Sequence, residues 1–574
     1  MNKRKAHLYF ITLLVLTICQ SIQAKQVLFA EGRSAYSIVL TDNASQSEQT
    51  AAKELQAILQ KISGATLPIV KEPVEKGVYI GWTPQTGVPH PDNTDESFTY
   101  KTIGNNLYIF GGSERGTMYG VFSFLERELG VHWYTSTFTK IPQRKQYILP
   151  DLSHSEKPVI QQRLDFCYDA LRHHDWIAHN LLNTQYLPPK TPYGRMSSYW
   201  GIHTFQRLMP PSVYFKEHPE YYSIYKGRRS DKAQLCLSNK QMRQELTKNL
   251  LDVIAKNPDY WCYDVSQNDN RLPCECTACQ QLVEKYGGHS GAILWFVNQV
   301  AKDVKRSYPH AYIGTFAYQH TRQAPKSSIK PADNVVIRLC DIECCMAHPL
   351  EACPQNRSFL TDMNNWRKIA KNIYIWDYTT GFRHYLLPFP NFEVLSANFR
   401  YFSQSNVIGI LEEGNHNAPW GEFSELKQWL IAKLLWNPSQ NVDSLATIFL
   451  NDYYGKAAPF VKQYYDLCKK QITADTHFTI TINSNSTLYS ASFITQGMNL
   501  IQKALANVRE NTEEYKHTQR IAAQLYYLRL QRNTVKSMTD GTTEQLRSIL
   551  KADSTILSEQ GKTLEAILKE HHYY

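Results

Sequence analysis

Two hydrophobic rhythms divide the chain. Between residues 25 and 150, short β-branched runs alternate with two stretches of helical period. "YSIVL", "LPIV", "GVYIGW" and "NNLYIFGG" read as strands, the last entered through a "GNN" turn. "SEQTAAKELQAILQKISG" reads as a helix with Leu55, Ile58, Leu59 and Ile62 on one face, Ser47 as its cap and Gly64 as its stop. "RGTMYGVFSFLERELG" reads as a second helix ending at Gly130. Two helices against one small sheet predict an α+β module.

From 151 to 450 the rhythm changes. Strand-like runs recur, each followed by a polar loop and then a helical stretch. The runs are "VIQQRLDF", "LLNTQYL", "AQLCLS", "YWCYDVSQ", "AYIGTFAY", "NVVIRLC", "NIYIWDY" and "VIGILEEG". Helical period appears between them at "QMRQELTKNLLDVIAK", "AILWFVNQVAKDVKRS" and "FSELKQWLIAKLLW". Eight strands alternating with helices predict an α/β fold, a (β/α)8 TIM barrel. From 451 to 574 the pattern is helical for most of its length, which predicts a C-terminal helical domain.

The first 24 residues add a compartment. Lys3, Arg4 and Lys5 precede an apolar run from Leu8 to Ile18, and Ala24 precedes a plausible cut. This reads as a signal peptide, and the mature protein is expected in the periplasm or at the cell surface. Ile18 is not the small residue that a lipid-attachment cut at Cys19 prefers. The remaining apolar runs are too short to span a bilayer, so no stable membrane insertion is expected. The formal net charge of +10 falls to +7 without the three basic residues of the signal. An excess this small, with no dense basic run, argues against a nucleic-acid partner. Aromatic residues make up 12% of the chain, with 36 Tyr and 11 Trp, enough to fill cores and also to offer ring faces to sugars.

In a barrel of this kind the working groups stand where strands end. Strand four leads to Asn268 and Asp269. Strand five leads to Tyr318 and His320, and strand six to Asp341 and Glu343. Strand seven carries Trp376, Asp377 and Tyr378, and strand eight Glu412 and Glu413. A lone acid at a strand end often only caps the next helix. Acids at four strand ends, with aromatics between them, point instead to glycoside hydrolysis. That reaction needs one carboxylic acid to protonate the leaving oxygen and a second group to stabilise the positive charge that develops on the sugar. Asn268, Tyr318, His320, Trp376 and Tyr378 are the candidate substrate contacts. No cofactor is expected.

Cysteines cluster beside the strand-four acid, in "NDNRLPCECTACQQL". Cys274, Cys276 and Cys279 offer three thiolates and no local fourth ligand for zinc. In an oxidising compartment a disulfide is the default, with Cys344 and Cys345 able to reach across, so disulfides are expected in preference to a metal. Either one would brace the loop behind Asp269.

Several longer motifs extend this reading: "RGTMYGVFSFLERELGVHWY", "PPSVYFKEHPEYYS", "VSQNDN", "CECTAC", "RLCDIECCMAHPLE", "YIWDYTTGF", "LPFPNF" and "GILEEG". Through them the chain resembles the bacterial family known as domain of unknown function 4838, part of which is glycoside hydrolase family 163. The resemblance implies that residues 25–150 are similar to the non-catalytic domain preceding the barrel in β-hexosaminidases and α-glucuronidases. It also implies a retaining endo-β-N-acetylglucosaminidase that cuts complex N-glycans with help from the substrate acetamido group. Asp269 and Glu343 match the motifs of the site and make the expected catalytic pair. Glu412 matches a further acidic position, and Glu413 stands where the family pattern leads us to expect Gln. Asp377 and Glu412 are the candidates if a protein nucleophile exists. Two other readings remain open at this point. One is an α-glucuronidase-like exo-glycosidase, for which Arg322, Arg338 or Arg383 would hold the uronate. The other is a glycan-binding protein without catalysis.

Overall fold

The computed structural model describes residues 26–91, 95–112, 114–185, 190–550 and 555–570. The signal segment lies outside them. The chain divides into two compact units. One holds the described residues up to His132 with Lys140–Lys157 and Pro192–Gly194; the other holds the described residues of Trp133–Thr139, of Pro158–Thr191 and from Arg195 onward.

The first unit is built on a six-stranded sheet. Its order across the sheet is Ser153–Glu156, Phe98–Ile103, Asn106–Gly111, Gly77–Ile80, Ser37–Leu40 and Ile69–Val70. Helices Gln46–Ser63 and Gly116–Arg127 accompany it. The first helix buries Ala51, Leu55, Ile58, Leu59 and Ile62, the stripe its sequence period sets. Its cap is Ser45 and not Ser47. Ser45 accepts from the Glu48 amide while the Glu48 carboxylate accepts from the Ser45 amide, a reciprocal capping box. Ser47 is buried instead and donates to the Glu114 carbonyl. Gly64 ends the helix at φ 80°, where a side chain would be strained.

The second unit carries the barrel. Its strands are β1 Gln162–Phe166, β2 Thr184–Gln185, β3 Ser197–Trp200, β4 Cys262–Asp264, β5 Tyr312–Ala317, β6 Val335–Cys340, β7 Ile373–Tyr378 and β8 Val407–Glu413. Parallel ladders run without a break from β2 through β3, β4, β5, β6, β7 and β8 to β1. Between β1 and β2 the closure is made by Asn183, whose Oδ1 accepts from the Arg163 amide at 2.9 Å. Helices follow at Lys240–Lys256, His289–Ser307, Arg357–Arg367, Phe392–Gln404 and Ser424–Trp436. Helices from Val442–Tyr454 to Leu564–Glu570 complete the unit and share its hydrophobic core.

The third strand departs from the sequence reading. "AQLCLS", residues 233–238, is not a barrel strand; Ser197–Trp200 takes that place. The 233–238 segment is drawn over the end of β4. Gln234 donates to the Asn268 carbonyl at 2.8 Å and accepts from the Asn268 amide at 2.8 Å. Asn239 then caps the next helix by accepting from the Met242 amide at 2.9 Å.

Candidate active site

Contacts across the barrel show which strand residues face its interior. Trp376 of β7 packs on Phe316 of β5 at 5.4 Å and on Phe166 of β1 at 6.0 Å, in each case skipping a strand. Arg338 of β6 lies over Tyr199 of β3 at 3.8 Å and 3.8 Å from Asp264 of β4. Side chains alternate along a strand, so Trp376 and Tyr378 share the inner face of β7 and Asp377 takes the outer one. On β8 the ladder sets Glu413 level with Phe166 and Tyr378, and Glu412 level with Asp165 and Asp377.

Glu413 is therefore the strand-eight acid that points inward. Its carboxylate accepts from the Trp376 indole N–H at 2.7 Å, and His416 stands 3.4 Å away, stacked on Phe166. Burial pushes the Glu413 carboxyl up to about 8; the Trp376 hydrogen bond offsets part of this, and nearby Glu559 and Asp269 add to it. Asp269 lies beyond the end of β4, exposed, and accepts from the Tyr318 hydroxyl at 3.1 Å and from Gln319 at 3.4 Å. Asp269 and Glu413 thus lie within electrostatic reach of each other at the barrel mouth. Glu559 joins them from the C-terminal segment, its carboxyl raised by burial and by Asp269. That segment is held down by the Glu559 amide donating to the Phe382 carbonyl at 2.9 Å and by Asn417 donating to the Glu559 carbonyl at 3.0 Å. Nothing in the local sequence around Glu559 signals this role, because only the path of the C-terminal chain brings it to the mouth.

The outward row holds the other strand-end acids. Asp165, Asp341, Asp377 and Glu412 are all buried. Asp377 lies beside Asn398 of helix Phe392–Gln404, and Glu412 faces Lys427 of helix Ser424–Trp436. Burial first, and then mutual repulsion, raises the Asp341 and Glu412 carboxyls well above their ordinary values; burial raises Asp377, and lifts Asp165 to about 8. Asp377 and Glu412, both expected at the site, belong to this helix-facing layer and are not brought together with Asp269.

Five other candidates are held by neighbours. Glu343 is exposed and clamped between Arg271 at 2.9 Å and Arg322 at 2.6 Å. Arg322 also binds Asp362 at 2.8 Å. Asn268 is buried with both ends of its amide committed: Nδ2 donates to the Ala233 carbonyl and Oδ1 accepts from the Gln206 amide. His320 lines a small cavity with His289, Cys274 and Cys279, and burial pushes its imidazole down to about 4. Tyr318 and Tyr378 are buried, one bonded to Asp269 and the other beside Glu413, and burial raises both phenols.

Residues 133–466 match the family model described as domain of unknown function (DUF4838), more than half of the chain. The chain belongs to this family. No curated protein sequence matches the DUF4838 chain. Among solved structures it is similar in fold to a family 115 4-O-methyl-α-glucuronidase with specificity for decorated arabinogalactans. That match has 13% identity and a TM-score of 0.57, and covers 92% of this chain and 76% of the other. It is also similar in fold to a family 89 glycoside hydrolase from Clostridium perfringens in complex with its substrate GlcNAc-α-1,4-galactose. There the identity is 10% and the TM-score 0.53, covering 89% of this chain and 65% of the other.

The DUF4838 chain does not form the expected disulfides. The eleven cysteines among its described residues are all free. The fourth ligand that the local sequence lacked is Cys236, on the segment drawn over β4. Cys236, Cys274, Cys276 and Cys279 bring their sulfurs within 4.8 Å of one another. Cys345 does not cross to this cluster either. It joins His348, Cys353 and His477 in a second group of four donor atoms, also within 4.8 Å. Among the described residues no helix is long and apolar enough to cross a membrane.

Proposed function

We propose that the protein is a glycoside hydrolase of GlcNAc-containing glycans, a retaining endo-β-N-acetylglucosaminidase that acts on complex N-glycans with substrate assistance. The observation that carries this is the pair at the barrel mouth: Glu413, buried and proton-bearing near neutral pH, within electrostatic reach of the exposed carboxyl of Asp269. Two carboxyls in unlike surroundings divide the labour of glycoside cleavage. Glu413 gives its proton to the leaving sugar oxygen. Asp269, steadied by Tyr318, orients the 2-acetamido group, whose oxygen attacks the anomeric carbon as the glycosidic bond breaks. Water then opens the resulting oxazolinium ion, and the Glu413 carboxylate takes up a proton from that water. Two displacements at the anomeric carbon give retention.

Glu413 replaces Glu343 in this pair because Glu343 is spent on two arginines. The same commitments weigh against Arg338 and Arg322 as holders of a uronate. Arg338 is closed into the barrel core against Asp264, and Arg322 is taken by Glu343 and Asp362. The motif resemblance to family 163 supports the N-glycan substrate, and the export signal read in residues 1–24 accords with a glycan met outside the cytoplasm. The test is incubation with a glycoprotein bearing complex N-glycans. Mass spectrometry should find released glycans ending in one GlcNAc, with one GlcNAc left on the protein, and a GlcNAc-thiazoline should inhibit competitively. A folded protein that releases no glycan and turns over no aryl N-acetylglucosaminide would sink the proposal.

A further inference from the structure

We propose that Cys236, Cys274, Cys276 and Cys279 bind a structural zinc ion that clamps the loop behind Asp269. Four thiolates at 2.3 Å from a tetrahedral zinc stand about 3.8 Å from one another, against about 2.0 Å for a disulfide. The Cys236 sulfur lies 3.7 Å from that of Cys276 and 3.8 Å from that of Cys279. The surroundings suit thiolates as well. The Ile224 amide donates to the Cys274 sulfur at 3.3 Å and the Ser238 amide to the Cys279 sulfur at 3.4 Å; Arg229 lies alongside Cys236. Outer-shell donors of this kind are what hold metal-bound sulfurs in place.

The cluster also stands where a core is missing. Cys236, Cys274 and Cys279 are buried in a small group of their own, against which Ile224, Leu237 and Cys276 pack among the described residues. Such a patch is too small to order its loops by apolar burial, and metal binding supplies the folding free energy instead. The ordered segment reaches the proposed active site directly. Gln234, two residues before Cys236, binds the Asn268 and Asn270 carbonyls that flank Asp269. Binding deprotonates the four thiols, and Zn²⁺ takes the place of the protons released.

A different observation carries a second ion at Cys345, His348, Cys353 and His477. The Cys345 sulfur is 3.9 Å from His348 Nδ1 and 3.3 Å from His477 Nδ1, and the Cys353 sulfur is 3.8 Å from His477 Nδ1. A tetrahedral S₂N₂ site requires S···N separations of about 3.6 Å. His348 Nε2 lies 3.0 Å from the Thr473 carbonyl, a partner that fixes the N–H on Nε2 and leaves the Nδ1 lone pair for a metal.

The experiment is elemental analysis of the full chain purified without added metal or chelator. About two zinc ions per chain are expected, one for each four-donor site. H477A, which changes an exposed ligand, should lower this to about one. Cobalt substituted into H477A should show the strong charge-transfer bands of an all-thiolate tetrahedral ion. Metal that H477A does not lower would overturn the second site. Disulfides mapped among Cys236, Cys274, Cys276 and Cys279 in the native protein would overturn the first. So would four titratable thiols that take up neither zinc nor cobalt.

Discussion

Replacing Glu413 with Gln keeps the shape of the side chain and removes its proton. The magnitude follows from the position of the carboxyl. At about 8, Glu413 is about 90% protonated at pH 7, whereas a glutamate at its ordinary 4.5 would be about 0.3% protonated. The barrel mouth thus raises the proton-bearing fraction of the proposed acid about 300-fold. Loss of a positioned acid costs about 10²-fold or more in kcat/KM, about 2.7 kcal/mol of transition-state stabilisation. The assay compares the E413Q and native proteins on a glycoprotein and on an aryl N-acetylglucosaminide with a good leaving group. The glycoprotein reaction should fall at least about a hundredfold, and the activated aryl substrate much less, because its leaving group needs no proton. Native activity should decline above about pH 8 as Glu413 ionises, and E413Q should lack that limb. A folded E413Q that keeps more than about a tenth of the native kcat/KM on glycoprotein would refute the assignment, since the effect would lie below that of a general acid.

Further outcomes follow from the neighbours. Trp376→Phe removes the hydrogen bond that favours ionised Glu413, so the alkaline limb should move to higher pH; an unchanged or lower limb would disconnect Trp376 from the acid. Glu343→Gln should cost less than about tenfold in kcat/KM, because it loosens Arg271 and Arg322 and removes no acid; a hundredfold loss with an unchanged fold would return Glu343 to the catalytic pair. Asp165 has its folded carboxyl raised from 3.8 to about 8 by burial. The stability tied to its proton is therefore full below about pH 4 and is lost as pH rises towards about 8. Melting temperature should fall between neutral pH and pH 9, and by less in D165N; identical slopes in the two proteins would show that Asp165 does not titrate there.

The raw materials of the sites and most of the scaffold are legible in the order of residues along the chain. Seven of the eight barrel strands lie within the runs named for them, because enrichment in β-branched and aromatic residues between turn residues is a signal carried locally along the chain. The helix stripe of Leu55, Ile58, Leu59 and Ile62 was legible for the same reason, since its period is local. What the sequence left undecided was direction. Strands of a parallel barrel are buried on both faces and carry no polar alternation, so "YIWDY" and "ILEE" do not say which of two adjacent residues looks inward. Only closure of the barrel, with Trp376 set against Phe166 and Phe316, turned Glu413 to the mouth and Glu412 to the helices. Long-range partners were equally hidden. Cys236 meets Cys274, Cys276 and Cys279 because a loop folds over β4, and Glu559 meets Asp269 because the C-terminal segment returns to the rim. Both encounters depend on the path of the chain through space, which no local pattern of residues records.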